Sequence, residues 1–349
     1  MISLGLIGCG EVAESGHLPA ILNDDSFRLD AVCDINAARA ELLARRAGGV
    51  AVYSNWRDLL AHEPKLDGVV LALPPEVSPA IAVEALRRKL AVLDEKPLAA
   101  TLANGRRLQD AVTEYNGVFQ VGFVLRYGDW VEQIRRMVPS LGTPLQINVE
   151  VYDERLNPAD LAHLTRIQSF MRHSSVMTHE GSHVIDYVRI WHPAPWTCVS
   201  AVTQQTSPTF SGPNVWSSQI QFEDGSTLNA KIAWLLTELP PSTVTLVGSE
   251  GRLDLNCVTG QGIVEIKGVE QPFETRPLAP DWARQYRVFA EAIDRGRAQC
   301  ASINDGMHTL EVTAACELSA RTGSVVRPAD LIDRRAADAE RPHPTADVR

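Results

Sequence analysis

The sequence has no apolar run long enough to cross a membrane, and it is short of basic residues. A membrane-spanning helix needs about 20 consecutive apolar residues, and no stretch of the chain approaches that length. The 33 lysines and arginines are outnumbered by 43 aspartates and glutamates, which gives a net charge of -10. Nucleic acids and anionic membrane surfaces bind clusters of basic residues. We therefore expect neither as a partner, and a small molecule instead.

Cysteine is scarce, and no C-x-x-C pair occurs among the six cysteines. This scatter is typical of reduced, mostly buried thiols and disfavours a disulfide framework or a cysteine zinc site. The N-terminus has no basic segment ahead of a hydrophobic one, so we expect no signal peptide and a cytoplasmic location. Internal repeats are also absent from the sequence. The 349 residues, 45% of them hydrophobic, suffice for two folded domains.

The most informative stretch is residues 4–13, where an apolar strand meets a helix through a glycine turn. Gly8 and Gly10 fill the first two places of the G-x-G-x-x-G/A fingerprint of dinucleotide sites, and Ala13 fills the third. This pattern predicts a pyrophosphate bound on the free N–H groups at the start of the helix. The cofactor-binding residues predicted here are Gly8, Gly10, Glu11 and Val12.

A second apolar strand, Phe27 to Cys33, ends at Asp34, about 20 residues beyond the fingerprint. An acid at this distance accepts hydrogen bonds from the adenosine ribose. We therefore predict NAD as the cofactor in preference to NADP. Asp34 could also merely cap the helix that begins near Asn36, and that alternative is compatible with ribose binding.

Residues 1–122 alternate short apolar runs with helical patterns, which predicts a parallel sheet covered on both faces. One predicted strand, 67–73, stops at two prolines, and another, 90–94, is followed by a lysine. Ligands of open α/β sheets gather at the carboxyl ends of the strands. We expect these turns to wall the nicotinamide side of a cleft. The predicted contacts here are Leu73, Pro74, Pro75, Glu95 and Lys96.

Several motifs recur in a recognisable order along the chain. They are the fingerprint followed by His17-Leu18-Pro19, then Pro74-Pro75, Glu95-Lys96-Pro97, and Val121-Gly122-Phe123 ahead of Arg126-Tyr127. Together they resemble the glucose-fructose oxidoreductase / inositol dehydrogenase (Gfo/Idh/MocA) family, over nearly the whole chain. The resemblance implies an α/β Rossmann domain, an α+β domain with an open, mostly antiparallel sheet, and NAD(P)-dependent oxidation or reduction of sugars and cyclitols. It also implies that Lys96 contacts substrate and cofactor.

The sequence pattern of the second half of the chain predicts a domain built on a β-sheet. Strands are predicted at 145–152, 197–206, 215–222, 227–234, 244–247, 252–257 and 263–267, and helices at 128–138, 282–295 and 306–322. Short turns between most of the strands favour an antiparallel sheet. Its apolar and aromatic content predicts a homodimer or homotetramer through this sheet. We assign 1–122 to the cofactor domain, 123–330 to the substrate and oligomerisation domain, and 331–349 to a polar, mobile tail.

Residues 157–175 are irregular and rich in arginine and histidine, and no helix is predicted there. Such a segment suits a lid or a substrate loop. A solvated connector between strands is the equally weighted alternative.

A helix is predicted over residues 177–191, where apolar residues recur at helical spacing. Its His179, His183 and Asp186 fall along one side. The family's corresponding helix reads D-x-G-x-H-x-x-D, which places His183 and Asp186 on the motif and puts His179 where the family has its catalytic aspartate. This departure implies an altered substrate pocket.

The letters His179-Glu180-Gly181-Ser182-His183 also spell H-E-x-x-H, the signature of zinc proteases. Two imidazoles four residues apart can share a metal while the glutamate activates its water. A glycine inside the helix and the lack of an obvious third ligand count against this, and we predict no metal. Packing histidines with ordinary hydrogen-bond partners are the remaining alternative.

We expect His183 to remove the proton of a substrate hydroxyl, because imidazole titrates near working pH. Lys96 would hold the same oxygen and stabilise its developing negative charge. His179 would orient the hydroxyl, and Asp186 would fix the tautomer of His183.

Arg126 and Tyr127 open the second domain and are predicted to bind substrate hydroxyls or a carboxylate, or else to brace the joint between the domains. Two other functions stay open at the level of sequence. One is NAD-assisted elimination or glycoside cleavage without net redox change. The other is a non-catalytic NAD-binding sensor, which would not need Lys96 and His183.

Overall fold

A computed structural model describes residues 1–62 and 65–331 of the chain. The N-terminal part forms a six-stranded parallel sheet with strand order β3-β2-β1-β4-β5-β6. Its strands are β1 (Ile2–Ile7), β2 (Phe27–Cys33), β3 (Ala51–Tyr53), β4 (Gly68–Leu71), β5 (Ala91–Asp94) and β6 (Phe119–Val121). This order reverses between β1 and β4, and dinucleotides bind at such a switch point.

Helices cover both faces of this sheet. They are α1 (Leu18–Leu22), which continues a π-helical turn at Ala13–His17, then α2 (Ala37–Arg46), α3 (Trp56–His62), α4 (Ser78–Arg87) and α5 (Leu102–Tyr115). Every residue of β4 and β5 is buried. Apart from Asp94 at the end of β5, these buried strands lack polar side chains, as expected for a parallel sheet.

The second sheet has eight strands in the order β14-β13-β12-β11-β7-β10-β9-β8. They are β7 (Gln146–Asp153), β8 (Trp196–Gln204), β9 (Val215–Phe222), β10 (Thr227–Trp234), β11 (Thr243–Val247), β12 (Gly251–Asn256), β13 (Gln261–Ile266) and β14 (Val269–Glu274). All neighbours are antiparallel except β7 and β10. The predicted fold class, a Rossmann domain followed by a mostly antiparallel open sheet, is confirmed.

The outward face of this sheet is polar at its centre. Asn229 donates to Asn148 at 2.9 Å, and Gln219 donates to Asn229 at 3.0 Å. The apolar side chains of the same strands, such as Ile147 and Ile232, point inward and are buried. Apolar content in these strands thus reflects the inner core, and the homodimer or homotetramer stays a prediction.

Besides a short 3₁₀ turn at Val138–Ser140, further elements in the described ranges connect and flank the sheets. They are a 3₁₀ turn at Val124–Tyr127, α6 (Asp129–Met137), α7 (Leu161–His173), α8 (Val176–His179), α9 (Gly181–Trp191), α10 (Trp282–Arg295) and α11 (Ile303–Thr322). The last two return to the first sheet. Tyr286 and Phe289 of α10 join the core around β1 and β2, while Met307 and Leu310 of α11 join the core beside α5.

The prediction of irregular chain over 157–175 is wrong, because α7 occupies most of it. Asp160 caps this helix by accepting from the N–H of His163 at 3.0 Å. Ile167 and Met171 are buried, and Leu164 packs against the same core. These three residues follow helical spacing, which the surrounding arginines and histidines obscured.

The predicted helix over 177–191 is two helices that meet at Glu180. Gly181 opens the second helix in a tight contact, since a Cβ there would lie 2.7 Å from the sulfur of Met177. The domain boundaries stay a prediction, and the predicted tail lies outside the described residues from 332 onward. No helix in the described ranges is both long and apolar enough to cross a membrane.

Candidate active site

The glycine turn after β1 has room for a ligand. Gly8 has a φ of +94°, and a Cβ there would lie 2.2 Å from the carbonyl oxygen of Ala72. A Cβ at Gly10, in contrast, would have no atom within 4 Å. Within the described ranges, the N–H groups of Glu11 and Val12 have no acceptor. Open space beside free donors at a helix start fits the pyrophosphate of a dinucleotide.

Asp34 lies at the carboxyl end of β2 and is tied to this turn. One carboxylate oxygen accepts from the N–H of Cys9 at 2.7 Å, and the other accepts from the N–H of Asn36 at 2.7 Å. The cap of α2 is Asn36, which accepts from the N–H of Arg39. Each Asp34 oxygen has a second lone pair, so the carboxylate can still accept from ribose hydroxyls.

Lys96 follows β5, and its side chain contacts His179, the last residue of α8. Its Nζ lies 3.1 Å from Nδ1 of His179 and 3.0 Å from the carbonyl oxygen of the same residue. The imidazole also lies beside the rings of Phe170 and Trp234, at 5.2 Å and 5.1 Å between centroids. Burial, and then the charge of Lys96, holds the pKa of His179 well below its ordinary value. His179 is therefore neutral, and its Nδ1 accepts from the ammonium.

His183 lies one helical turn further on and is buried against Phe123. Burial lowers its pKa well below the ordinary value, and the charge of Lys96 lowers it further. Within the described part of the chain, its Nδ1 is buried without a hydrogen-bond partner. An unpaired buried polar atom costs about 1–3 kcal/mol.

Glu180, between the two histidines, was noticed in the sequence only as part of H-E-x-x-H. Burial raises the pKa of its carboxyl to about 7, although Lys96 acts in the opposite direction. The acids Asp153 and Glu154, at the end of β7, raise it further. Titratable groups perturbed in this way cluster at functional sites.

Arg126 and Asp186 form a buried ion pair, which corrects the role predicted for Asp186. Nε of Arg126 donates to one Asp186 oxygen at 3.0 Å, and Nη2 donates to the other. Nη1 lies 3.5 Å from a carboxylate oxygen of Asp305 at the start of α11. Among the described hydrogen bonds, none joins Asp186 to His183. Asp186 anchors Arg126 and does not set the tautomer of His183.

This pairing favours the bracing alternative for Arg126. Tyr127 is buried too, with its hydroxyl 3.9 Å from Sγ of Cys300 and its carbonyl oxygen accepting from Arg284. Both residues therefore hold the joint between the sheets. A direct contact of either one with substrate stays a prediction.

A zinc site at His179 and His183 is disfavoured by their surroundings. The ammonium of Lys96 occupies Nδ1 of His179 and would repel a cation. Among residues 1–62 and 65–331, no group of three histidines, cysteines or acids could hold a metal ion.

The chain resembles known proteins over most of its length. Two models of the GFO_IDH_MocA oxidoreductase family match it, the NAD-binding Rossmann fold at residues 2–123 and the C-terminal α/β domain at 132–327. Inositol 2-dehydrogenase of Rubrobacter xylanophilus is 26% identical over 93% of this chain and 92% of that protein. The Salmonella typhimurium enzyme of the same name is 31% identical, over 45% of this chain. In that alignment the chain spans about half of the relative, 48% of its length.

Solved structures share the fold. An oxidoreductase from Agrobacterium radiobacter, in complex with NAD+, L-tartaric acid and magnesium, superposes with a TM-score of 0.83 at 17% identity, covering 94% of this chain and 98% of that one. Myo-inositol 2-dehydrogenase from Lactobacillus plantarum gives 0.79 at 17% identity, covering 93% and 99%. Since the two family models cover both sheets, the chain belongs to the Gfo/Idh/MocA family of NAD-binding oxidoreductases, and the predicted family and cofactor are confirmed.

Proposed function

We propose that this protein is an NAD-dependent dehydrogenase or reductase that transfers a hydride between nicotinamide and a secondary hydroxyl or ketone of a sugar, sugar derivative or cyclitol. The observation that carries the proposal is the contact between Lys96 and His179, with His183 one turn away. It places a cation and two neutral imidazoles at the carboxyl end of β5, beside the predicted nicotinamide side of the cleft. The inositol 2-dehydrogenases among the relatives support a polyol substrate.

The residues divide the work of proton transfer and charge stabilisation. Bound NAD supplies the hydride acceptor, and the protein supplies position and charge. The Lys96 ammonium would hold the reacting oxygen and stabilise its negative charge as the proton leaves. His183 is neutral, so its imidazole would take the proton from the hydroxyl.

His179 changes the charge of the pocket relative to the family's aspartate. A neutral imidazole accepts a hydrogen bond from Lys96 without cancelling its charge. Lys96 therefore offers more positive potential to the substrate oxygen than it would beside a carboxylate. This favours substrates that bring negative charge of their own, and sugar acids belong in any substrate screen.

The test is an NADH-absorbance screen with NAD and NADP over sugars, cyclitols, sugar acids and glycosides. With an active substrate, His183→Gln should lower kcat by about 100-fold or more, the range expected for a lost proton acceptor. The Kd for NAD should stay within about twofold. His62→Gln, on the exposed end of α3, is the matched control. An unchanged kcat in the His183 variant would remove that residue from the proposal.

A second candidate is NAD-assisted elimination or glycoside cleavage, in which oxidation is transient. The replacement of the family's aspartate by His179 favours it, because a changed partner for the reacting hydroxyl suits a changed reaction. Product formation from a glycoside with tight NAD binding and no net NADH would establish this function. Stoichiometric NADH with each substrate turned over would exclude it.

A further inference from the structure

Helix α7 brings a cation from the second domain to the fingerprint turn. Nη1 of Arg166 lies 2.8 Å from a carboxylate oxygen of Glu11. Glu11 is the residue after Gly10, and its N–H is one of the free donors predicted to hold the pyrophosphate. This ion pair joins the part of the chain predicted to be a loop or lid directly to the predicted coenzyme site.

The guanidinium of Arg166 also contacts residues of α7 itself and of the end of β7. Nη2 lies 3.2 Å from Nδ1 of His163 and 3.6 Å from a carboxylate oxygen of Glu154. The group also lies 5.8 Å from the ring centre of Phe170. Its charge is close enough to lower the pKa of His179. Arg166 therefore lies between the fingerprint turn and the proposed catalytic groups, along the direction in which a bound dinucleotide must run.

We propose that Arg166 is a coenzyme-binding residue whose guanidinium binds the pyrophosphate of NAD in exchange for the carboxylate of Glu11. The side chains of the pair are 37% and 61% exposed, and such ion pairs contribute little to stability. A pyrophosphate brings two negative charges to the turn and repels Glu11. The planar guanidinium binds two phosphate oxygens as readily as a carboxylate, so the exchange conserves its hydrogen bonds.

This exchange would give α7 a function in coenzyme binding, which its sequence pattern does not indicate. The helix already contacts the fingerprint turn through this ion pair, so Arg166 on the pyrophosphate keeps α7 over the middle of the coenzyme and slows its release. This inference rests on NAD binding alone and does not depend on which substrate is oxidised. Failure of the substrate screen would leave it untouched.

The test is calorimetric titration with ADP-ribose, which carries the pyrophosphate but no nicotinamide. Arg166→Gln should raise its Kd about tenfold, since a charge-assisted hydrogen bond is lost. Arg172→Gln is the matched control, because Arg172 is on the same helix but none of the described ion pairs joins it to the fingerprint turn, and the Kd of this variant should not change. NADH should also dissociate about tenfold faster from the Arg166 variant in stopped-flow fluorescence.

Glu11→Gln distinguishes direct binding of the pyrophosphate by Arg166 from an ion pair that only holds α7 against the fingerprint turn. If the ion pair merely holds α7 closed, both variants weaken ADP-ribose binding by the same factor, and the proposal is overturned. If Arg166 binds the pyrophosphate, Glu11→Gln binds ADP-ribose as tightly as the native protein or more tightly. An unchanged Kd in Arg166→Gln also overturns the proposal. Should that variant not fold, Arg166→Lys provides the same comparison, with an intermediate Kd expected.

Discussion

Replacing Glu180 by glutamine should stabilise the coenzyme-free protein, relative to the native protein, more in alkaline solution than in mildly acidic solution. Its carboxyl has a pKa of about 7 in the folded protein, against about 4.3 in an unfolded chain. Between these values the folded state binds more protons than the unfolded state, so the free energy of unfolding falls as pH rises. Above about pH 7 both states are ionised, and the loss is complete.

The size of the effect follows from the same pKa. A rise from about 4.3 to about 7 corresponds to about 3.7 kcal/mol, at 1.36 kcal/mol for each pKa unit. Nearly half of this is already lost at about pH 5.5, so about 2 kcal/mol remains to be lost between about pH 5.5 and about pH 8.5. Glutamine does not titrate and should avoid that loss.

The assay is urea unfolding of the native protein and Glu180→Gln at both pH values. The difference between the two proteins should grow by about 2 kcal/mol on going to the higher pH. Glu223→Gln, on an exposed turn after β9, is the control and should follow the native protein at both. Parallel behaviour of the native protein and Glu180→Gln would refute the argument, because it would mean that Glu180 ionises in the folded state as it does in water.

Two further predictions concern the glycine turn and the buried ion pair. Gly10→Val should abolish NAD binding in calorimetry. It should leave the melting temperature of the coenzyme-free protein within a few degrees of the native value, since a Cβ at this position meets open space. Gly8→Ala should lower the melting temperature, because Gly8 has a positive φ and a Cβ there would clash with the carbonyl oxygen of Ala72. Arg126→Met should lower the free energy of unfolding by about 3–5 kcal/mol by leaving Asp186 unpaired, and Arg126→Met combined with Asp186→Leu should regain most of it. A double variant no more stable than the single one would contradict this reasoning.

The sequence was most informative where local signals coincide. The predicted strand Phe27–Cys33 begins and ends where the structure has it, and the helix predicted near Asn36 begins at Ala37. The helix carries a cap at Asn36, and the strand ends at a polar residue. The same holds for β9 and β10, because the turn around Gly225 fixes their register. Capping and turn chemistry are encoded in a few adjacent residues, so a single sequence reveals them.

Contacts between residues far apart in the chain could not be predicted from the sequence. No sequence pattern near Asp186 indicates that its partner is Arg126, which lies 60 residues earlier. The parallel pairing of β7 with β10 brings together strands that are separated by α7, α8 and α9. Lys96 and His179 were placed in one cleft only through the resemblance to a family. Such contacts depend on tertiary packing, and their partners had to be found in the structure.

The return of α10 to the first sheet has a consequence for how the chain is made. His17 lies 2.9 Å from the hydroxyl of Tyr286, and Phe27 packs edge-on against the same ring. A ribosome must therefore synthesise about four-fifths of the chain before the core around β1 and β2 is complete. Until then the π-helical turn that follows the fingerprint lacks Tyr286, the buried partner of His17. We expect the nascent protein to acquire coenzyme affinity late, and nearly all at once, when the last helices emerge.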